Sequence, residues 1–250
     1  MSFQPPPGGC SRSEEKIISM TEHANRISII IPVFEEADRI DQTLRSLSAV
    51  AGAGSAEVIV VDGHPEQTTI RRMSGFAVRG IGAPRGRGAQ MHAGAVQSSG
   101  SVLLFLHADT RLEPDGLDRV KAVLQDPAVS GGAFDLGIDT PGIAYRLIER
   151  GASFRSRVTR VPYGDQAVFL RREVYFHLGG FRAFPLMEDV DLMRRLKKGG
   201  GRIRFAGRRA WTSPRRWRQE GIVYCTLRNY ALILLYSIGV PPEKLLRYYR

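Results

Sequence analysis

Four clusters of acidic or metal-ligating side chains follow apolar runs or open an amphipathic segment: Glu35-Glu36, Asp62, His107-Ala108-Asp109 and Glu188-Asp189. The sharpest is in SVLLFLHADT, residues 101–110, where five apolar residues end abruptly at His107 and Asp109. An Asp with a His two residues before it offers oxygen and nitrogen donors for a divalent cation. An isolated Asp after a strand equally caps the next turn. Glu188, Asp189 and Asp191 complement a helix dipole, yet three carboxylates in four residues exceed what capping requires. A Gly- and Arg-rich turn at 84–88 runs into a small-residue helix, so Arg85 and Arg87 flank a helix start that suits a phosphate, or else form a flexible basic turn.

These clusters make a site only if strands deliver them to one edge. ISIIIPVF at 27–34, EVIVV at 57–61 and VLLFL at 102–106 show no polar alternation, which marks strands covered on both faces in a parallel sheet. Residues 38–50 place Ile40, Leu44 and Leu47 at helical spacing between the first two, completing a βαβ unit. A weaker strand at 76–83 and a helix from Pro114 to Gln125 extend the pattern. Three strand–helix units predict a doubly wound sheet with right-handed crossovers, and ligands bind beyond the carboxyl ends of its strands. The acidic clusters fall at those ends or at helix starts facing the same crevice. The second half reads as an elaboration of the same sheet: an alternating strand at 131–139, a basic helix at 143–157, a strand at 166–170, a helix beginning near the Glu188-Asp189 pair and a short strand at 202–205. His92 and His177 read as ordinary polar positions.

The 36 lysines and arginines outnumber the 25 acids, leaving a formal net charge of +11 that draws nucleotide phosphates, nucleic acid or an acidic membrane. A nucleic-acid-binding module would interleave aromatic residues with these cations, and no such motif occurs, so no nucleic-acid partner is expected. Cys10 lies in a polar tail and Cys225 in an apolar segment, which gives no disulfide framework and points to a reducing compartment. Residues 1–25 carry proline, glycine and charge where a secretory signal needs an apolar run, so they read as a disordered leader of a cytoplasmic protein. The apolar stretch 222–240 is interrupted by Arg228 and Asn229 and is unsuited to spanning a bilayer. Within the terminal segment 218–250, residues 222–238 are expected to pack on the domain, with a homodimer face or a peripheral contact at the inner face of the membrane as alternatives.

Taken in order, ISIIIPVFEE, EVIVVDG, GRGAQMHAGA, LLFLHAD, GDQAVFLRR, LGGF and MEDVDL resemble the family 2 glycosyltransferases over residues 26–217. HADT, the GDQ segment and SPRRW are similar to a bacterial subgroup associated with arsenosugar biosynthesis. The resemblance implies a GT-A fold: an α/β domain with a Rossmann-like, mixed but mostly parallel sheet flanked by helices. It also implies a UDP- or GDP-linked sugar donor, a hydroxyl acceptor and a divalent cation, magnesium or manganese. Asp109 matches the metal-ligating position of an Asp-x-Asp motif whose first acid is replaced here by His107. Asp62 matches an acid that contacts the nucleotide base, with Gly63 where many relatives have a second Asp. Glu188-Asp189 resembles the family's Glu-Asp pair, in which the Asp is the general base. Arg216, in Arg215-Arg216-Trp217, matches the tail of a Gln-x-x-Arg-Trp motif that here lacks its Gln, and an arginine there suits a diphosphate. Glu35, Asp62, Arg87, His107, Asp109 and Arg216 are thus the expected donor-binding set, and Asp189 with Glu188 the catalytic pair. An inverting transfer needs a cation at the departing diphosphate and a carboxylate at the attacking hydroxyl, roles that fall to Asp109 and Asp189. A nucleotidyltransferase would share the sheet and the metal but leaves the acceptor-side base without a use.

Overall fold

The apolar runs form the middle of one eight-stranded sheet in the computed structural model, which describes residues 26–73 and 75–249. The expected leader at 1–25 lies outside the described residues, as does Cys10. Strands β1 (Ile27–Val33), β2 (Glu57–Asp62), β3 (Arg79–Gly82) and β4 (Val102–Phe105) are parallel to one another. Strands β5 (Thr110–Leu112), β6 (Val129–Ile138), β7 (Phe169–Arg171) and β8 (Arg202–Thr212) complete the order β3-β2-β1-β4-β7-β6-β8-β5. Because β1 leads outward to β2 and β3 and the chain then returns to β4 on its other side, the strand order reverses between β1 and β4. Their carboxyl ends therefore open a crevice.

Helices sandwich this sheet because every residue of β1 and β4 is buried and each face needs an apolar cover. Ile29 and Ile31 pack in one cluster with Leu44 and Leu47 of α1 (Ile40–Ser48) and Leu117 and Val120 of α3 (Gly116–Leu124). Ile30 and Leu103 pack in a second cluster with Met91 of α2 (Arg87–Gln97), Tyr175 of α5 (Arg172–His177) and Leu192 of α6 (Glu188–Lys198). Each isoleucine so buried contributes about 1.5–3 kcal/mol relative to exposure. Helix α4 (Ile143–Thr159) lies between α3 and α5 in sequence and packs against β6.

Three details differ from expectation. Strand β8 runs for 11 residues rather than four, because it pairs with β6 along its length and takes β5 on its other side. Strand β5 was not expected at all: three residues are too few for a periodic signal. The expected strand at 166–170 begins only at Phe169, since Gly164–Gln166 is a 3₁₀ turn. Strand β6 crosses its neighbours closely; a Cβ at Gly132 would run into the Arg204 carbonyl.

The terminal segment forms α7 (Arg215–Glu220), α8 (Ile222–Ser237) and α9 (Pro242–Leu245). Leu232 and Leu245 join Leu186, Met187 and Val190 in a third apolar cluster, so this segment packs on the domain at the start of α6. Cys225 is buried and free. Among the described residues no helix is long and apolar enough to cross a membrane.

Candidate active site

The β4 strand ends in a tight turn, Thr110 N–H donating to the His107 carbonyl at 3.0 Å. Thr43 of α1 donates its hydroxyl to the Ala108 carbonyl, and Ser213 N–H donates to the Asp109 carbonyl at 3.2 Å. The turn is thus clamped from both sides, with the Asp109 side chain exposed beside it.

Opposite it, α6 begins after Met187, whose φ of 65° is a left-handed conformation that a side chain rarely adopts. Glu188 is buried and takes Arg87 Nε on Oε1 at 2.8 Å, while its Oε2 has no hydrogen-bond partner. Helix α2 can begin this close to α6 because residue 88 is glycine: a Cβ there would lie 3.3 Å from Glu188 Cβ and collide with the Arg182 carbonyl. Asp189 accepts Val190 N–H at 2.7 Å on Oδ1 and Gly164 N–H on Oδ2. Backbone amides therefore fix its carboxylate at a helix N-terminus, where negative charge is favoured. At Gly164 a Cβ would lie 2.9 Å from His107 Nε2 and 3.0 Å from Asp189 Oδ2. His107 and Asp189 thus meet across a residue that can only be glycine without moving one of them.

A cavity of about 400 Å³ joins these groups, and Arg87, His107, Asp109, Asp165, Asp189 and Arg216 all line it. Burial, reinforced by the Arg87 cation, pushes His107 down to about 4, so its ring is neutral at physiological pH. Burial and the neighbouring Asp189 push Asp165 up to about 6. Burial raises Glu188 against the opposing pull of Arg87, whose own guanidinium is held charged chiefly by Glu188. Burial and the nearby Arg87 lower Arg216. Two guanidiniums face one cavity, and the charge of Arg216, opposed by burial and by Arg87, is one that a bound anion would favour.

Residues 28–187 match the family model described as glycosyl transferase family 2. The chain is a family 2 glycosyltransferase. It is 27% identical over 204 residues to glycosyltransferase AglE of Haloferax volcanii, covering 75% of this chain and 66% of AglE. Among solved structures, S. aureus TarS aligns over 90% of this glycosyltransferase and 42% of its own chain, at 14% identity and a TM-score of 0.58. Mannosyltransferase PcManGT from Pyrobaculum calidifontis, in complex with GDP-Man and Mn2+, aligns over 74% of this chain and 56% of its own, at 18% identity and a TM-score of 0.56. The fold is that of the GT-A enzymes, and the present chain spans between two fifths and two thirds of the lengths of these three proteins.

The glycosyltransferase holds two of the expected donor residues away from the cavity lining. Asp62 is fully buried, and its carboxylate accepts His64 and Thr69 N–H groups at 2.9 Å each and Ile70 N–H at 3.3 Å. Glu35 is exposed, at φ 57°, with its carboxylate 4.0 Å from His64 Nε2. Gln90, in the helix whose start carries Arg87, donates to the Val33 and Val61 carbonyls at 2.7 and 2.8 Å and ties the ends of β1 and β2 together. A Cβ at Gly63 would sit 2.9 Å from Gln90 Cδ, so any larger residue there would have to push this latch aside. Arg85 stacks 4.1 Å from the Phe34 ring centroid rather than entering the cavity.

Sequence reasoning passed over Asp165, Arg155 and Gly164. For Gly164 and Asp165 the signal was the GDQ segment, which entered the resemblance and marked the approach to a strand but was given no role in the site; Arg155 lay in a helix read only as basic. Gln166 anchors it by donating to the Phe134 carbonyl at 3.1 Å and accepting Ser156 Oγ–H at 2.6 Å and Tyr163 N–H at 3.1 Å. Arg155 of α4 lies 3.3 Å over the Tyr163 ring and also lines the cavity.

Proposed function

We propose that this glycosyltransferase moves a sugar from a nucleotide-diphosphate donor to an acceptor hydroxyl with inversion, using Asp189 as general base and Asp109 to hold a divalent cation. One observation carries the reading: Asp109 and Asp189 line the same cavity, with the cationic Arg87 and Arg216 in its wall. Asp189 takes the hydroxyl proton as the acceptor oxygen bonds to the anomeric carbon. The bond from that carbon to the diphosphate oxygen breaks, and the nucleoside diphosphate leaves on the opposite face. Arg216 meets the charge that develops on the leaving group, while Glu188 acts as a positioning residue that fixes Arg87. The burial of Glu188 and its ion pair with Arg87 support this positioning role rather than one as the base.

The residues fit a cation shared with substrate. Among the described residues no three His, Cys, Asp or Glu side chains form a cage by themselves. The Asp109 carboxylate accepts one long hydrogen bond, from Thr110 Oγ1 at 3.5 Å, and keeps most of its capacity for a ligand. One carboxylate completed by substrate phosphates is how magnesium is commonly bound, and the GDP-Man and Mn2+ complex of the P. calidifontis mannosyltransferase supports the same donor class. When bound, the cation would neutralise charge on the departing diphosphate. His107 stays neutral and offers one N–H and one lone pair at that site.

The reading is tested by incubating the protein with UDP-, GDP- and dTDP-linked sugars, with and without manganese, beside Asp109→Ala and Asp189→Ala. Manganese-dependent release of a nucleoside diphosphate, reduced at least 100-fold in Asp189→Ala, is the expected result. Transfer or hydrolysis unaffected by both substitutions would overturn the assignment. Arsenosugar precursors belong in the acceptor panel because of the subgroup that HADT and SPRRW resemble.

A further inference from the structure

Two helices flank the mouth of the cavity and both turn apolar faces outward. On α4, Ile143, Leu147, Phe154 and Val158 are 62–82% exposed. On α8, Val223, Leu227 and Leu234, with Ile238 at its C-terminal cap, are 63–71% exposed, and Tyr230 is half-exposed in the same row. Each set recurs at the i, i+4, i+11, i+15 spacing of one helical face. The rows meet in the middle, since a Cβ at Gly151 would lie 3.6 Å from the Tyr230 hydroxyl. Tyr230 also lines the cavity, as do Ile148 and Ala152 of α4 and Ile233 of α8. The apolar surface is therefore continuous with the site's rim.

Charge selects what covers this surface. Of the arginines on these helices Arg150 is exposed, Arg146 and Arg157 pair with Glu149 and Asp135, Arg155 stacks on Tyr163 and Arg228 lies largely buried against Glu220, while the lone acid of the two helices, Glu149, is buried. Neither helix exposes a carboxylate. Arg150 sits inside the α4 apolar row, between Leu147 and Phe154, and is exposed. Beyond α9, Arg247 adds a further exposed cation. A second copy docked about a twofold axis would bring Arg150 towards a face on which neither helix exposes a carboxylate to pair with it. An anionic bilayer supplies both the apolar medium and the opposite charge.

We infer that the joined outer faces of α4 and α8 dock this glycosyltransferase on an anionic membrane surface, with the cavity mouth held at the level of the lipid headgroups. The inference concerns the same site but stands apart from the donor and base assignments.

The test is flotation of the full chain with vesicles of phosphatidylcholine or phosphatidylglycerol, beside the variant Leu147→Glu/Leu234→Glu. Both positions are exposed and outside the cavity lining, so nucleotide-sugar hydrolysis in the absence of acceptor should be unchanged. The expected result is binding to phosphatidylglycerol vesicles that weakens with salt and falls at least about tenfold in the variant. Recovery of the parent protein only in the soluble fraction overturns the inference, as does equal binding to phosphatidylcholine. A dimer in size-exclusion chromatography that the variant abolishes, without vesicle binding, assigns the face to self-association instead and overturns it too. A chain that floats yet hydrolyses no nucleotide sugar leaves the docking intact and removes the donor reading.

Discussion

Asp62 ends β2 and Asp109 closes the turn after β4, both at carboxyl ends of strands in the parallel half of the sheet, and in sequence they look alike. Their fates differ completely. Asp62 is saturated by three backbone N–H groups of the 64–70 loop, whereas Asp109 is exposed beside the cavity with one long hydrogen bond. The lesson is that a strand fixes where a carboxylate emerges, while the following loop decides whether its lone pairs are spent on folding or kept for chemistry. In β2 the loop curls back over the acid. After β4 the turn is held from behind, by Thr43 and Ser213 acting on backbone carbonyls, and the side chain is left out of the clamp.

Breaking this comparison begins with Asp109→Asn and Asp62→Asn in parallel. On the proposed assignment of Asp109 to the donor's cation, Asp109→Asn should lower transfer by about 100-fold or more, with little change in Tm because its side chain makes one long hydrogen bond. Asp62→Asn should do the reverse, costing about 1–3 kcal/mol for amides left poorly paired in a buried site, read as a fall in Tm. Equal Tm losses in both would erase the distinction. Gly164→Ala comes next. The added methyl must displace His107 or Asp189, and a misplacement of about 1 Å is expected to cost on the order of 100-fold in kcat, with far-UV circular dichroism unchanged. Activity within threefold of the parent would show that the two side chains need not meet there.

The smallest effect is a pH dependence of stability. The Asp165 carboxyl keeps its proton in the folded protein up to about pH 6, against an ordinary value of 3.8, so its contribution favours the fold at low pH and is lost as pH rises through 6. His107 acts oppositely: its folded value of about 4 against 6.5 means that acid between these values favours the unfolded chain. The two slopes oppose each other over the same window. Asp165→Asn removes one of them, so its Tm should exceed that of the parent by a few degrees at pH 8 and the gap should close towards pH 4. A gap that is constant with pH would count against the burial of Asp165 beside Asp189.

Much of the sheet was legible because buried parallel strands need unbroken apolar runs, and β1, β2 and β4 have them. The second half was less so. β5 is too short to carry a period, and β8 extends through Arg208 and Arg209 because pairing with β6, rather than its own apolarity, holds it in place. Of the site, Arg87, His107, Asp109, Asp189 and Arg216 were read from their motifs and line one cavity, with Glu188 paired to Arg87. Asp165 and Gly164 were passed over because a Gly-Asp pair before a strand is the usual signature of a turn.

The sequence by itself determined the family, the strand–helix alternation of the first half and the pair of acidic junctions at Asp109 and Asp189, since these depend on local periodicity and on residue order. Only the tertiary structure decided which carboxylates remain available, that Gly63 lies against the Gln90 latch, and that the apolar rows of α4 and α8 meet at the rim of the cavity. Those outcomes depend on how the chain folds back on itself: the 64–70 loop curls over Asp62, Gln90 reaches two strand ends, and Gly151 meets Tyr230 across 79 positions of sequence.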